Sequence, residues 1–427
     1  MTDAITRPVR LGVVGLGRRA RGLINNLLDM KDVEISAICD IHEEKLMTAM
    51  ELFETAGRPL PRGYIDIKPL LAREDIEGVL IATSWTSHIR LAIEAMKAGK
   101  YAAMEVGPAA SLTECWDLVA VSEQTGVPCM LLENCNYGRT ELALLNMVKQ
   151  GVFGELIHCQ CGYEHDLRRS LITGYDNGHY RIHHYLHRNG DNYPTHGIGP
   201  VAKYLNINRG NQFLTLTSMS SKSRGLREWV AEHLGNNHPL ARADVRQGDI
   251  VTTIIKCAHG ETIVLNLDTT LPRPYSRAGR VQGTKGIWME AGNSIYLEGR
   301  SPDHTWEAFE AYRDEYEHPL WKRFIAEGIR GGHGGMDYLC LRAFVDSIAR
   351  NVQTPIDVYD TAAWMAIAVL SEQSIALGGQ AVAFPDFTKG RWITRSPGPA
   401  SAYSLDVVDQ SLVDDALLSR SFNSSVR

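Results

Sequence analysis

The sequence predicts an α/β protein. An N-terminal doubly wound parallel sheet is followed by an α+β domain built on a large mixed or antiparallel sheet with one open face. Three observations carry this reading. The first 135 or so residues alternate short apolar runs with amphipathic helical stretches, the pattern that pairs strands in parallel. A glycine turn, Gly15-Leu16-Gly17, joins the first such run to the first helix. After Gly151 the alternation gives way to strands joined by turns such as Ala258-His259-Gly260 and Thr284-Lys285-Gly286, as in antiparallel pairing. The expected units are 1–135 and 136–395, with the last helices packing back on the first unit. From 396 to 427 a tail rich in serine and acidic residues is expected to pack loosely.

In chain order, Val9 to Val14 reads as a buried strand. Ala20, Leu23, Ile24, Leu27 and Leu28 then mark one face of a helix. Gly15, Gly17 and Ala20 stand in the G-x-G-x-x-A form of the dinucleotide fingerprint. Gly15 permits the tight turn, Gly17 lets the backbone approach a pyrophosphate with Leu16 between them, and Ala20 allows close helix–strand packing. The phosphates would meet free N–H groups at the helix N-terminus. A second strand, Val33 to Cys39, ends at Asp40, 23 residues beyond Gly17, where an acid that binds the adenosine ribose is expected. Such an acid repels a 2′-phosphate and selects NAD. Arg18 and Arg19 favour that phosphate, but Asp40 holds the discriminating position.

The Rossmann pattern continues with strands predicted from Gly78 to Ser84, Tyr101 to Val106 and Val127 to Glu133. Helices are predicted from Ser87 to Lys97 and Leu112 to Gln124. Ligands bind at the carboxyl ends of such strands. Thr83, Trp85, His88, Glu105, Glu133, Asn134 and Tyr137 fall on that edge.

Leu156 to Tyr163 alternates as a strand. From Glu164 to Asn192 the chain reads as irregular, a wall or lid carrying Arg181 and several tyrosines. His179, His183, His184 and His187 lack a matching set of carboxylates or cysteines, so no metal site is expected. Pro194 suits the first turn of a helix whose apolar face is Ile198, Val201, Ala202 and Leu205. His196 then sits at that helix's N-terminus, where the dipole disfavours an imidazolium, and a neutral ring can act as a general base. Strands are predicted from Phe213 to Ser220, Ile250 to Cys257, Thr262 to Asp268, Gly279 to Gly283 and Gly286 to Glu290. Helices follow from Trp306 to Ile329, Met336 to Asn351 and Thr361 to Leu377.

Composition narrows the function. Of the 427 residues 44% are hydrophobic and 22% charged, as in ordinary globular proteins. A net charge of -6 argues against nucleic-acid binding. No apolar run is long enough to span a bilayer, and the N-terminus lacks an apolar signal core, so a cytoplasmic protein without membrane partners is expected. The eight cysteines are read as reduced, mostly buried thiols. An open sheet face needs covering, which implies a homo-oligomer.

The arrangement resembles the Gfo/Idh/MocA oxidoreductases, which share Gly15-Leu16-Gly17 and the Ala98-Gly99-Lys100 run before the strand ending at Glu105. That family carries E-K-P at this strand end, where Glu105-Val106-Gly107-Pro108 stands here. It also has an aspartate where Asn192 precedes His196. These departures resemble one branch, glycoside hydrolase family 109. So do Trp85 with His88, Glu133-Asn134 with Tyr137, Tyr163-x-His165-Asp166, His187-Arg188-Asn189-Gly190-Asp191, Tyr193-Pro194-Thr195-His196-Gly197 and His333-Gly334-Gly335-Met336-Asp337. The resemblance implies an NAD-dependent α-N-acetylgalactosaminidase acting on a small glycoside. Glu105, Tyr137, Arg181, Tyr193 and His196 would face cofactor and sugar. His196, Tyr193 and Tyr137 are the expected catalytic groups, and Arg181, Glu105, Tyr163 and Asn192 are expected against the sugar. Hydrolysis would proceed by oxidation at C3, elimination, addition of water and reduction, with the cofactor recycled. A sugar or cyclitol dehydrogenase releasing NADH is the alternative, and a sugar sensor with vestigial cofactor binding a third.

Overall fold

The computed structural model describes residues 7–176, 179–409 and 411. Six strands form the first sheet: β1 (Val9–Val14), β2 (Val33–Cys39), β3 (Arg62–Tyr64), β4 (Gly78–Ile81), β5 (Tyr101–Met104) and β6 (Cys129–Leu131). They pair in parallel in the order β3-β2-β1-β4-β5-β6. The order reverses between β1 and β4, so their carboxyl ends open the crevice where such sheets take ligands. Gly15 follows β1 with φ +84°, and a Cβ there would stand 2.8 Å from the Ala82 carbonyl oxygen. Only glycine fits. Space is open where Gly17 would carry a Cβ, as a close approach by pyrophosphate requires.

Nine strands form the second sheet: β7 (Leu156–Glu164), β8 (Phe213–Ser220), β9 (Ile250–Cys257), β10 (Thr262–Asp268), β11 (Arg280–Gly283), β12 (Gly286–Met289), β13 (Ser294–Leu297), β14 (Glu307–Ala308) and β15 (Val382–Ala383). Their order is β14-β13-β12-β11-β7-β10-β9-β8-β15. β7 and β10 pair in parallel and the other neighbours antiparallel, so the sheet is mixed. Val251, Ile255 and Cys257 of β9 are buried, whereas Ile254 between them is 49% exposed and Met219 of β8 is 61% exposed. One face is covered and the other open. Helix Val358–Ala376 covers the inner face at β8 and also packs on β6 and helix Leu112–Thr125. Its run from Thr361 to Ala368 is buried all round, as befits a helix shared by two sheets. Helix Met336–Ala349 packs back on helix Arg18–Leu28 of the first sheet.

Three expectations are corrected. The segment from Glu164 to Asn192 contains two short helices, Arg168–Asp176 and Tyr180–His187. Leu171, Ile172, Ile182 and Tyr185 are buried with Leu226 and Val230, a small second core whose apolar spacing is too brief to stand out in the sequence. The helix predicted from Trp306 to Ile329 is broken into β14 and the helices Phe309–Glu315 and Pro319–Ala326. Pro319 starts the last of these, and the His318 ring accepts the Leu320 N–H at 3.1 Å as its cap. The tail is not loosely packed between 396 and 409. Tyr403 and Leu405 are buried, and Asp406 pairs with Lys203 at 3.1 Å and Arg209 at 2.7 Å. Those two cations are themselves buried and need carboxylates. Residues 410 and 412–427 lie outside the described residues.

All eight cysteines are buried and unpaired. Among the described residues no helix is long and apolar enough to cross a membrane.

Candidate active site

The cofactor edge is built from the strand ends. Asp40 folds back on the glycine turn, accepting the Leu16 N–H at 2.7 Å and the His42 N–H at 3.0 Å. Arg18 is exposed, whereas Arg19 turns inward. Its Nε donates to Glu105 at 2.8 Å, and its Nη atoms donate to Asp337 at 2.6 and 2.9 Å. Asp337 also accepts from Asn134 Nδ2 at 2.7 Å and lies 2.7 Å from His333 Nδ1. Burial opposes the Asp337 charge, yet the bonds from His333 and Arg19 hold it well below the usual carboxylate range. Burial raises the Glu105 carboxyl despite Arg19. With Arg19 bound to two carboxylates, a 2′-phosphate loses one of its two expected partners, and the balance falls to Asp40 and NAD.

The edge where the sequence leads one to expect the sugar is aromatic. A Cβ on Gly107 would come within 2.5 Å of the Trp85 indole, so the bare backbone after β5 lies flat on that ring. The Arg181 guanidinium carbon stands 5.3 Å from the rings of both Trp85 and Tyr193, and its Nε is buried without a hydrogen-bond partner. Aromatic faces hold this cation. Among the described residues no carboxylate pairs with it. The Tyr193 ring lies 4.4 Å from Tyr163, 4.9 Å from His196 and 5.6 Å from Trp85. Burial pushes the Tyr193 phenol up, with His196 and Arg181 pulling it back.

His196 opens helix Thr195–Tyr204, as its sequence neighbours predict, but the expected neutral ring is corrected. Its Nδ1 lies 2.7 Å from Oε1 of Glu133, which is fully buried. Burial opposes a charged ring, yet Cys135 and Glu133 outweigh it and hold the imidazole well above its usual range. A full carboxylate at hydrogen-bond distance exceeds the partial charge of a helix terminus.

Two family models match the chain. One, described as the oxidoreductase family with an NAD-binding Rossmann fold, spans residues 9–132. The other, the C-terminal domain of glycosyl hydrolase 109, spans residues 137–394. The chain belongs to glycoside hydrolase family 109. An α-N-acetylgalactosaminidase of Tannerella forsythia is 46% identical over 91% of this chain and 88% of its own. A family 109 protein of Stenotrophomonas maltophilia is 46% identical over 92% of this chain and 91% of its own. Among solved structures, levoglucosan dehydrogenase with NADH and levoglucosan superposes with a TM-score of 0.67 at 18% identity, covering 89% of this chain and 100% of that one. An NAD+-bound inositol dehydrogenase homologue from Azotobacter vinelandii gives 0.66 at 18% identity, covering 89% and 98%. At that identity they share the fold. The family 109 protein is therefore a glycoside hydrolase with an NAD-binding domain.

Within this family 109 site the structure brings together Trp85, Tyr163, Arg181, Tyr193 and His196. It does not bring Tyr137. That ring is fully buried, and its hydroxyl donates to the Tyr403 carbonyl at 3.0 Å, on the side where the C-terminal strap packs. Asn192 is also packed away, its amide donating to Gln247 at 2.5 Å. His88 is 1% exposed, and its Nε2–H donates to the Thr83 carbonyl at 3.1 Å. Burial lowers that ring to about 4, so it braces the end of β4 as a neutral group. The Thr83 hydroxyl is engaged with Ser87 at 2.7 Å. Sequence reasoning missed Asp337, and Tyr275, whose ring lies 6.1 Å from Tyr163. It placed Glu133 on the edge without linking it to His196, 63 residues away. The His333 to Asp337 block was the available signal for Asp337. None pointed to Tyr275.

Proposed function

We propose that this protein hydrolyses α-linked N-acetylgalactosaminides with NAD held at the first sheet and regenerated in each turnover. The observation that carries the mechanism is the Glu133–His196–Tyr193–Arg181 cluster beside that sheet. Ordinary glycosidases place two available carboxyl groups across the scissile bond. Here Glu105 is engaged by Arg19 and Glu133 by His196.

Bound NAD supplies a reversible hydride acceptor at the sugar ring. Glu133 fixes Nδ1 of His196 and makes the ring strongly basic, so that Nε2, once its own proton has passed to solvent, takes the C3 hydroxyl proton as that carbon is oxidised. The C3 ketone acidifies C2–H, and Tyr193 removes that proton as the C1 substituent leaves. Arg181, over the Tyr193 ring, and the His196 imidazole stabilise the phenolate that this needs. Water then adds at C1, Tyr193 returns the C2 proton, and the hydride taken from C3 would return there from the reduced cofactor as His196 gives back the hydroxyl proton. The relative from Tannerella forsythia, named α-N-acetylgalactosaminidase, supports the choice of sugar.

The test is release of nitrophenol from its N-acetyl-α-galactosaminide without added cofactor, run in heavy water. Deuterium at C2 of the product is expected. Retained C2–H overturns the elimination route, and stoichiometric NADH from free sugar would make the protein a dehydrogenase. A second copy of the chain is proposed over the open sheet face that carries Ile254 and Met219, and a monomer in light scattering would overturn that. Eight buried free thiols support a reducing, cytoplasmic setting.

A further inference from the structure

We propose that Glu133, Cys135 and His196 form a binding site for a thiophilic divalent cation, zinc by preference, whose occupation takes His196 out of turnover. One ligand atom from each residue lies within 4.8 Å of the others. Among the described residues no other group of histidine, cysteine and carboxylate side chains meets in this way. The site comes from two elements. Glu133 caps the short helical turn Asn134–Tyr137, accepting the Cys135 N–H at 3.1 Å, so both side chains leave one turn. His196 enters from the start of helix Thr195–Tyr204.

The second observation is an orphan oxygen. Glu133 is fully buried, and its Oε2 has no hydrogen-bond partner, although the Thr195 hydroxyl stands beside it. A buried carboxylate oxygen without a donor is costly and suited to a cation. Thiolate, imidazole and carboxylate are zinc's protein ligands, and three of them leave a fourth position for water. The thiolate selects zinc, cobalt or cadmium over magnesium or calcium.

The neighbouring guanidinium does not forbid the site. Arg277 Nη1 stands 3.3 Å from the Cys135 sulfur, and Arg277 is paired with Glu141. Its N–H can stay on the sulfur as the outer hydrogen bond that thiolate ligands commonly accept. His196 keeps 14% side-chain exposure, which gives the ion its entry from the cleft.

Binding is an exchange of protons for metal with no change of oxidation state. The thiol proton of Cys135 and the proton between Nδ1 and Glu133 pass to solvent as metal–sulfur, metal–nitrogen and metal–oxygen bonds form. The inhibitory consequence rests on the proposed role of His196, because a ring bound to a cation is a weaker base at Nε2. The site itself does not.

The experiment titrates the full-length protein, with its bound NAD, with cobalt(II). A thiolate-to-cobalt charge-transfer band saturating at one ion per chain is expected, with two protons released per ion and loss of the band on adding zinc. Cys135→Ala and Glu133→Gln should each weaken cobalt binding by more than about tenfold, since even outer partners are worth 10–100-fold. Absence of the band, or its persistence in Cys135→Ala, overturns the site, and the proton count needs no variant. Zinc at saturating levels should stop glycoside turnover, with recovery on chelation. A bound ion with full turnover would overturn the inhibitory half, and the assignment of His196 with it, while leaving the site in place.

Discussion

Replacing Asp191 by asparagine tests how the loop that carries Tyr193 and His196 is held. Asp191 is 1% exposed. One of its oxygens accepts the Tyr193 N–H at 3.3 Å, and the other has no partner. Burial raises its carboxyl from 3.8 to about 7, with the Tyr193 amide pulling slightly back. The folded chain therefore holds this proton more tightly than the unfolded chain. Below pH 4 both states are protonated and the group is neutral to stability. Between about pH 4 and 7 the unfolded chain ionises first, and native stability falls as pH rises. At about 1.36 kcal/mol per pKa unit the full loss is roughly 4 kcal/mol above pH 7. Asparagine mimics the protonated form and does not titrate. Its amide adds a constant cost of about 1–3 kcal/mol where Oδ2 stood unpaired. The stability of Asp191→Asn relative to wild type should thus rise by several kcal/mol between pH 4.5 and 7.5. Urea unfolding of both proteins at three pH values in that range measures it. A difference that stays constant with pH would refute the buried-carboxyl argument.

Other outcomes follow from the same contacts. His196→Ala and Glu133→Gln should each lower turnover of the nitrophenyl glycoside by about 10²–10⁴-fold, since one removes the base and the other its anchor. Both should keep their NAD in a cofactor assay, because the glycine turn and Asp40 lie elsewhere, and near-normal rates would dismiss the pair. Tyr137→Phe should leave turnover within about twofold and cost about 0.5–1.5 kcal/mol in urea unfolding for the bond to the Tyr403 carbonyl. A loss of activity beyond a hundredfold would return Tyr137 to the catalytic set. Arg181→Lys should raise KM and lower kcat much as Arg181→Ala does, because an ammonium lacks the planar face that stacks on Trp85 and Tyr193. Restoration of activity by lysine would show that charge alone matters there.

What is built from neighbouring residues was legible in the chain alone. Gly15, Gly17 and Ala20 specify the cofactor turn because a left-handed φ, an open approach and a close packing distance are local demands, each met by one small residue. The strands β2, β8, β9 and β10 end where their alternation and flanking turns place them, and Pro194 starts the helix that carries His196. The tertiary structure decided which groups meet across long separations. His196 is basic because Glu133 is buried against it, and the Arg19 guanidinium is engaged by Glu105 and Asp337. Tyr137 sits beside the motif in sequence, yet its hydroxyl is drawn to the carbonyl of Tyr403 in a strap that composition alone reads as loose. The histidines clustered in sequence gave no expectation of a metal site, whereas the donors that converge in space are Glu133, Cys135 and His196, brought together by two separate turns. Hydrophobic period and turn chemistry report which face of an element is buried. They carry no record of the charged or polar partner that burial will then require, and that pairing is settled only when the sheets and helices pack.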